Sequence, residues 1–289
     1  MKMDNITFHI YVVYDKEKVK SEIPSCEWLT PLNVNKDNGI NIGSYTKYCE
    51  LRAQYYIWKN NSFFSDSSIG FFHFRRYLDL KYLLRPEKKC KRPYTIKKNP
   101  NILSLNPLAM SESIRKYDII APIAEYTGIP VWKRYISYPG HSIEEIKLAR
   151  EYIKNNFSDY MCTFDKYMCG NKEFFCNMYI MKWKVFQEYC NWLFPILDYV
   201  STQFYDNLGE KALGFLSERL FGIYFLKQKE SHSASSYIEI PRVHFWKYDD
   251  EQHHFFWSRY INFLLPPGSQ RRALVKCVLK KQREVSFYG

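Results

Sequence analysis

The order of apolar and polar residues along the chain predicts strands and helices that alternate. Four short apolar runs with polar flanks are typical of buried strands, at residues 6–13, 68–74, 117–122 and 174–181. Apolar residues recur at helical spacing in four longer segments, at residues 46–60, 142–155, 183–200 and 208–228. No internal repeat is visible. This order favours an α/β fold, with a mixed sheet covered by helices.

Two segments depart from the alternation. Residues 81–107 are basic and rich in Pro and Asn, which predicts a mobile surface loop. From about residue 250 the sequence becomes rich in aromatic residues, is interrupted by Pro-Pro-Gly and ends in a basic stretch. We therefore divide the chain into an α/β domain, residues 1–250, and a C-terminal aromatic and basic helical tail, residues 251–289.

The composition is that of a folded globular protein. The 289 residues are 46% apolar and 25% charged, which excludes disordered, collagen-like and coiled-coil classes. The chain has no apolar stretch long enough to span a membrane, and its first residues do not resemble a signal peptide, so we expect a cytoplasmic protein. Eight cysteines occur without a C-x-x-C pair, which predicts mostly buried thiols and no disulfide framework.

The net charge indicates an anionic partner. The 42 Lys and Arg residues exceed the 30 Asp and Glu residues by 12, which suits a nucleotide, a nucleic acid or an acidic membrane surface. Aromatic residues make up 18% of the chain. They suit stacking on bases or sugars, and they equally suit an aromatic core.

The sharpest local feature is the segment His73-Phe74-Arg75-Arg76, which follows a predicted strand. Ligands of open α/β sheets bind at the carboxyl ends of strands, and arginines form bidentate hydrogen bonds with phosphate oxygens. Arg75 and Arg76 therefore have the chemistry to neutralise a diphosphate, with His73 as a further donor. The alternative is a surface arginine pair with carboxylate partners beside a core histidine.

A second candidate is Glu218, which lies off the apolar stripe of the helix predicted at 208–228. Gly214 and Gly222 stand one turn away on either side, so a ligand or another backbone can approach its carboxylate closely. This is a geometry suited to a general base. A helix-packing groove and an ion pair between Glu218 and Arg219 are the structural alternatives.

Metal and nucleotide motifs are absent from the sequence. No Asp-x-Asp occurs, the nearest approach being Asp249-Asp250-Glu251. The adjacent His253 and His254 would point apart on a helix. The chain also has no G-x-G-x-x-G, Walker or G-x-S-x-G motif. We therefore predict no metal site.

Three stretches, in order, resemble a family of bacterial glycosyltransferases encoded in capsule and O-antigen clusters and first known as a domain of unknown function. They are NIGSYTKYCELRAQYYIWKN at 41–60, GFFHFRRY at 70–77, and CNMYIMKWKVFQEYCNWLF with GFLSERL within 176–220. Similar proteins usually have Tyr at the positions of Phe74 and Cys176. The correspondence extends over about residues 6–245.

The resemblance implies a GT-A-like fold for residues 1–250, a UDP-sugar donor and a growing surface glycan as acceptor. Galactose or galactofuranose is the sugar expected from similar proteins. No cofactor is then required, because Arg75 and Arg76 stand where GT-A enzymes keep metal-binding carboxylates; Mg²⁺ or Mn²⁺ remains an alternative. The residues expected to bind the donor are His73, Arg75, Arg76, Tyr14, Tyr48, Glu50 and Asn177.

For catalysis, the resemblance favours Glu218 as the base that removes the acceptor proton, in an inverting mechanism. His141 is a second candidate, with the alternative that it only precedes a helix capped by Ser142. Ser217 and Arg219 are expected to contact the acceptor, which is an oligosaccharide or a lipid-linked glycan. Tyr48 and Glu50 have the alternative of packing and pairing inside the protein.

The basic tail predicts a location at the inner face of the cytoplasmic membrane. Residues 270–283 combine Lys and Arg with apolar residues, as in an amphipathic helix on an anionic bilayer. A helix that closes over the protein's own core is the alternative. The rival function is a non-catalytic nucleic-acid-binding protein. The spread of the positive charge and the absence of a binding motif argue against it, so no nucleic-acid partner is expected.

Overall fold

The computed structural model describes residues 7–36, 38–84, 94–96, 104–231, 237–245, 261, 264–265 and 269–279. The strands are β1 (Phe8–Tyr14), β2 (Leu29–Asn33), β3 (Ser68–His73), β4 (Arg76–Leu78), β5 (Tyr94–Ile96), β6 (Ile119–Pro122), β7 (Glu125–Tyr126), β8 (Lys172–Glu173), β9 (Tyr179–Lys182), β10 (Tyr237–Ile240) and β11 (Arg242–Phe245). The helices are α1 (Leu51–Asn60), α2 (Lys81–Leu84), α3 (Pro107–Ile114), α4 (Val131–Ile136), α5 (Ile143–Asn156), α6 (Met161–Cys169), α7 (Trp183–Phe204), α8 (Ala212–Ser231) and α9 (Gln270–Leu279).

A mixed sheet of nine strands organises the described residues. Strands β2, β1 and β3 are parallel neighbours, and β9 runs antiparallel between β3 and β6. Strand β10 lies parallel to β6 at one edge. Strands β4, β11 and β5 extend the sheet from the end of β3, while β7 and β8 form a separate small ribbon. The predicted α/β class is thus confirmed.

The sheet separates two hydrophobic cores. Tyr11 and Val13 of β1 lie in the larger core, whereas Ile10 and Val12 lie in the other. This alternation follows from the two-residue period of a strand, which places successive side chains on opposite faces. Helices α1 and α5 to α8 supply most of the larger core. Both faces of the central strands are therefore covered.

Two predicted elements are shorter in the structure, for the same reason. The helix predicted at 46–60 begins as a 3₁₀ turn at Thr46–Tyr48 and becomes α-helical only at Leu51. Cys49 interrupts it with a φ of 49°. The strand predicted at 174–181 begins only at Tyr179, because Cys176 and Asn177 have φ values of 81° and 45°. A positive φ fits neither a helix nor a strand.

Two short elements occur within the segment predicted to be a loop. Residues Lys81–Leu84 form α2, and Tyr94–Ile96 form β5, which pairs with β11. The rest of 85–103, the acidic run at 249–251 and the histidine pair at 253–254 lie outside the described residues, so the boundary near 250 stays a prediction. A helix does occur at Gln270–Leu279 in the predicted basic tail.

The cysteine prediction is only partly correct. The described thiols include buried Cys190 and half-buried Cys26, Cys49 and Cys176, all of them free. Cys162 and Cys169 are exposed, because they lie on the outer side of α6.

Helix α8 packs closely on α6 through a glycine. A Cβ placed on Gly222 would lie 2.2 Å from Cζ of Tyr167. The Tyr167 ring is buried, and its hydroxyl accepts a hydrogen bond from the backbone N–H of Phe174 at 3.2 Å. The ring therefore has no room to move away from a methyl group.

We predict that Gly222→Ala lowers the free energy of unfolding by about 1–3 kcal/mol, because overpacking outweighs the better helix propensity of alanine. Urea denaturation measures this effect. Ser231→Ala, at the exposed end of the same helix, serves as the control and should leave the midpoint unchanged. Equal midpoints for Gly222→Ala and the wild-type chain would contradict the prediction.

Candidate active site

The candidate site lies at the edge of the sheet where β1 and β3 end. Strand β3 ends at His73, and a tight turn brings Arg76 of β4 opposite it. Because β9 runs antiparallel to β3, with Tyr179 opposite Phe71, the residues before β9 lie beside the same edge. Ligands of open α/β sheets bind at such strand ends. The predicted position of the His73–Arg76 segment is confirmed.

The two arginines of this turn form no ion pair within the part of the chain that the structure describes. Among the described residues, no carboxylate forms an ion pair with Arg75 or Arg76. Both Nε atoms are buried and receive no hydrogen-bond partner. A half-buried guanidinium without a counter-charge favours an anionic ligand. The alternative of a carboxylate-paired arginine couple does not hold in this part of the chain.

His73 is held neutral beside these arginines. Burial, together with the charges of Arg76 and Arg75, lowers the pKa of His73 to about 3. Its Nδ1 accepts a hydrogen bond from the backbone N–H of Arg75 at 3.3 Å, so the proton of the neutral ring belongs on Nε2. His244, opposite Arg76 in the β4–β11 pair, also has a lowered pKa through burial and the nearby arginines. The two histidines are therefore neutral, and they lie beside the positively charged Arg75 and Arg76.

Asn177 joins three elements around the site. Its side-chain amide donates to Oε1 of Glu50 at 2.7 Å and to the carbonyl of Gly214 at 3.0 Å. Its Oδ1 accepts from the hydroxyl of Ser217 at 3.0 Å, and its backbone carbonyl accepts from Gln54 at 2.9 Å. The side chain is buried. We therefore interpret Asn177 as a positioning residue; its predicted donor contact remains a prediction.

The backbone around Glu50 and Asn177 has an unusual conformation. The non-glycine residues with positive φ in the described part of the chain are Cys49, Cys176 and Asn177. Such residues are costly and cluster at functional sites, where the surrounding contacts hold them in place. Here they set the directions of Glu50 and of the Cys176 backbone N–H.

Both oxygens of Glu218 are bound by the protein. Oε1 accepts from the backbone N–H of Cys176 at 2.5 Å, and Oε2 pairs with Arg219 at 2.9 Å. Arg219 is buried and also pairs with Glu173, which Arg134 contacts at 3.0 Å. The ion-pair alternative for Glu218 and Arg219 is therefore confirmed.

The surface beside Glu218 is not bare. A Cβ on Gly214 would lie 2.9 Å from Cβ and Sγ of Cys49, and the space at Gly222 is filled by Tyr167. The idea that these glycines expose Glu218 to a ligand is thus wrong. Gly214 instead lets the segment before α1 approach α8, which brings Glu50 close to Glu218.

Two predicted donor contacts have structural partners. Tyr48 is buried and donates its hydroxyl hydrogen bond to Asp198 of α7 at 2.5 Å. Tyr14 is buried at the end of β1 and donates to Glu17 at 3.3 Å. Their burial argues against a direct contact with a nucleotide. The alternative of packing and pairing describes Tyr48 correctly.

His141 lies outside the Glu50–Asn177–Glu218 cluster. Its ring packs against Tyr135 and Phe215, and its Nδ1 lies 3.7 Å from buried Glu145. Ser142 caps α5 by accepting from the N–H of Glu144. The alternative that His141 precedes a capped helix fits this placement.

Burial also argues against the two predicted acceptor contacts. Ser217 is fully buried and donates to Asn177 and to the carbonyl of Gly214. Arg219 is fully buried between Glu173 and Glu218. Both residues hold the site in shape, and the pairing of Arg219 leaves its guanidinium no free face.

Sequence reasoning missed several residues that build the site. Arg242 contacts Sγ of Cys176 through Nη1 at 2.6 Å and pairs with Glu125. Arg76 contacts the same sulfur at 3.6 Å. The sequence signal for Arg242 is an arginine within an otherwise mostly apolar segment, YIEIPRVHF at 237–245. Glu125 and Glu173 lie opposite each other in the β7–β8 ribbon, a pairing that no local pattern reveals.

Within the described residues, no group of three His, Cys, Asp or Glu side chains is arranged to hold a metal ion. The cations present at the sheet edge are the guanidiniums of Arg75, Arg76 and Arg242.

A family model described as a domain of unknown function, DUF4422, matches residues 9–229, which is more than half of the chain. The chain belongs to the DUF4422 family. The matched range contains the whole Glu50–Asn177–Glu218 cluster and the His73–Arg76 turn. Arg242 lies beyond the end of the match. No curated protein matches the sequence.

Among solved structures, the DUF4422 protein is similar to the apo structure of WbbM, a bifunctional glycosyltransferase. The TM-score is 0.69 and the sequence identity is 21%; the match covers 83% of this chain and 45% of the other. The chain thus spans less than half the length of that structure. The GT-A-like fold implied by the sequence resemblance is confirmed. Within the described part of the chain, no helix has both the length and the apolar character that a membrane crossing needs.

The raised pKa of Glu50 makes its contribution to stability depend on pH. Burial and the negative charge of Glu218 raise the pKa of Glu50 to about 7, against the hydrogen bond from Asn177. Between the ordinary carboxyl pKa and this value, the folded state binds more protons than the unfolded state. The contribution of Glu50 to stability therefore falls as the pH rises through that window.

We predict that Glu50→Gln is more stable than the wild-type chain at about pH 8, by on the order of 1–3 kcal/mol, and gains nothing below about pH 4. A glutamine keeps an oxygen for the Asn177 hydrogen bond and removes the charge. Urea denaturation at several pH values measures the difference. Glu188→Gln, on the exposed side of α7, is the control and should show no pH-dependent gain. A constant difference at all pH values would argue against a charge effect.

Proposed function

We propose that the DUF4422 protein is a glycosyltransferase that moves a hexose, galactose or galactofuranose, from a UDP-sugar to a growing capsule or O-antigen glycan. One observation carries the proposal: Arg75 and Arg76, which have no ion-pair partner among the described residues, lie near the carboxylates Glu50 and Glu218 at the carboxyl edge of the sheet. A cationic site suits a diphosphate, and a neighbouring carboxylate suits proton removal. The printed description of WbbM as a glycosyltransferase supports the same class.

On the donor side, Arg75 and Arg76 bind the diphosphate oxygens, and His73 donates from its Nε2–H. The bond between the anomeric carbon and the β-phosphate oxygen breaks, and its electron pair leaves with UDP. Fixed positive charge at this oxygen stabilises the transition state, because the charge develops there. We propose that these arginines act in place of a divalent cation.

On the acceptor side, the hydroxyl oxygen attacks the anomeric carbon from the face opposite UDP, which inverts the configuration. The hydroxyl proton passes to a carboxylate of the Glu50–Glu218 pair. The products are the extended glycan, UDP and a protonated carboxyl group, which then releases its proton to water. The acceptor is an oligosaccharide or a lipid-linked glycan.

The first experiment tests donor binding. We predict that Arg75→Ala/Arg76→Ala weakens UDP binding by roughly 100-fold or more, since two charge-assisted contacts are lost. Calorimetric titration with UDP, UDP-galactose and GDP, each with and without EDTA, measures this. The matched control is Arg115→Ala/Lys116→Ala, an exposed adjacent pair with the same charge. It should bind as the wild-type chain does.

Three results would count against this function. Equal losses of UDP affinity in both double variants would mean that net charge, and not a specific contact, explains the effect. Loss of wild-type binding on addition of EDTA would contradict the metal-independent site. Steeply salt-dependent binding of DNA or RNA, with no affinity for nucleotides, would favour the nucleic-acid alternative.

We also propose that α9 places the enzyme on an anionic membrane surface. Leu274 and Val275 of this helix are 60% and 40% exposed, and Arg271 beside them is exposed as well. Apolar side chains next to basic ones are typical of helices that lie in a lipid interface. A lipid-linked acceptor would be within reach from that position.

For this contact, we predict that Leu274→Glu/Val275→Glu reduces flotation with vesicles of anionic phosphatidylglycerol at least several-fold, since apolar burial is replaced by like-charge repulsion. Binding to neutral phosphatidylcholine vesicles should be weak for both the wild-type protein and the double variant. Leu108→Glu, a change at an exposed leucine of α3, is the control and should leave flotation unchanged. Undiminished flotation of the double variant would contradict the assignment of α9.

A further inference from the structure

We propose that Glu50 is the catalytic base that accepts the proton of the acceptor hydroxyl, and that Glu218 is a positioning residue. This inference rests on the proposed transfer reaction and divides the work between its two carboxylates. It replaces the expectation from the sequence, in which Glu218 removes the proton and Glu50 contacts the donor.

The hydrogen bonds of Glu218 leave it unsuited to take a proton. Its Oε1 holds the backbone N–H of Cys176 at 2.5 Å, and its Oε2 holds Arg219 at 2.9 Å. Arg219 is itself fixed by Glu173 in the protein interior. Each oxygen of Glu218 is thus already engaged by a donor that shapes the site.

Glu50 has the free oxygen that a base needs. Its Oε1 accepts one hydrogen bond, from Asn177 at 2.7 Å. Within the described part of the chain, its Oε2 receives no hydrogen bond from another residue; the further donor to this carboxylate is the backbone N–H of Glu50 itself. The residue is half-buried, and the proposal places the acceptor hydroxyl at this oxygen. A base within hydrogen-bond reach of its proton is the first geometric requirement.

The conformation of the chain around Glu50 fixes the direction of its carboxylate. Cys49 has a φ of 49° and a ψ of −126°, immediately before Glu50. Gly214 permits this conformation, since any Cβ there would strike Cys49. Asn177, also at positive φ, then bonds to Glu50 and to the carbonyl of Gly214. Backbone strain retained on both sides of one carboxylate indicates a functional position.

The charged groups around Glu50 give it an acidity suited to this role. The titratable groups that face it are Glu218 on α8, Arg76 on β4, Cys49, Arg52 and Tyr179. Burial and Glu218 raise the pKa of Glu50 to about 7, and Arg76 opposes them. A base is most effective when its pKa lies near the working pH. The fixed charge of Glu218 thus makes Glu50 a stronger base.

In the transfer step, Oε2 of Glu50 forms a bond with the hydroxyl proton as the acceptor oxygen bonds to the anomeric carbon. The bond from that carbon to the phosphate oxygen breaks at the same time. The charge on Glu50 is neutralised, and one negative charge appears on the leaving UDP beside Arg76. No redox partner is needed.

The test compares Glu50→Gln, Glu50→Asp, Glu218→Gln and the exposed control Glu188→Gln in the full chain. The rate of UDP release is measured from about pH 5 to about pH 9, with UDP-galactose or UDP-galactofuranose as donor and octyl galactoside as acceptor. UDP affinity is measured for each variant.

We predict that Glu50→Gln lowers kcat by roughly 10²–10⁴-fold with little change in UDP affinity, and that Glu50→Asp recovers part of the rate. The acidic limb of the wild-type pH profile, near pH 7, disappears in Glu50→Gln. Glu218→Gln keeps a measurable rate and shifts this limb to lower pH, because a neighbouring negative charge is removed. A structural defect alone would not remove the limb in one variant and shift it in the other.

Several outcomes would overturn the assignment. Full turnover of Glu50→Gln would contradict Glu50 as the base. So would a Glu218→Gln variant that folds normally and loses as much kcat as Glu50→Gln does. A wild-type chain that neither binds nor turns over a UDP-sugar removes the proposed function, and the base with it. Infrared spectroscopy gives an independent readout: part of the carboxyl C=O absorbance that titrates near pH 7 should be lost in Glu50→Gln and kept in Glu188→Gln. Glu173, whose pKa is also raised to about 7 by burial, supplies the remainder in both variants.

Discussion

The hydrogen bonds of Asn177 are the constraint on which the site depends. One buried amide connects the start of α1, the turn before β9 and the first turns of α8. A buried polar group must satisfy its hydrogen bonds, so the three elements hold a single mutual arrangement. Because Asn177 adopts a positive φ to reach these partners, strand β9 begins several residues after the start of the apolar segment that predicts it. A contact between distant segments therefore overrides the local preference for a strand.

Buried charges extend this arrangement behind the site. The β7–β8 ribbon presents Glu125 and Glu173 side by side; Glu125 pairs with Arg242, and Glu173 pairs with Arg219 and Arg134. Such pairs are expensive to bury and add little net stability, but breaking one of them is strongly destabilising. Their value here is geometric: Arg219 orients Glu218, and Arg242 lies against Cys176 beside Arg76. A ribbon remote in sequence thereby aligns both halves of the site.

The site brings together charged groups of both signs that form no ion pair. Arg75 and Arg76 have no ion-pair partner in the described part of the chain, and Glu50, whose pKa Arg76 lowers, lies beside a second carboxylate that raises it. Both conditions oppose stability in the free protein, and both suit the proposed reaction, in which a diphosphate binds and a proton is transferred. This is the pattern expected where function and stability compete. The overall charge of +12 is consistent with an anionic ligand but does not locate it.

The sequence by itself determined the α/β class, because strand and helix periodicity follow from burial on one or two faces of a local segment. It also placed His73, Arg75 and Arg76 correctly at a strand end, since a short apolar run followed by polar residues marks that position. The tertiary structure alone decided the partners. Gly214 meets Cys49 rather than a ligand, and Arg219 is buried between two carboxylates. These contacts join residues far apart in the chain, so their geometry depends on how whole elements pack and not on any local pattern.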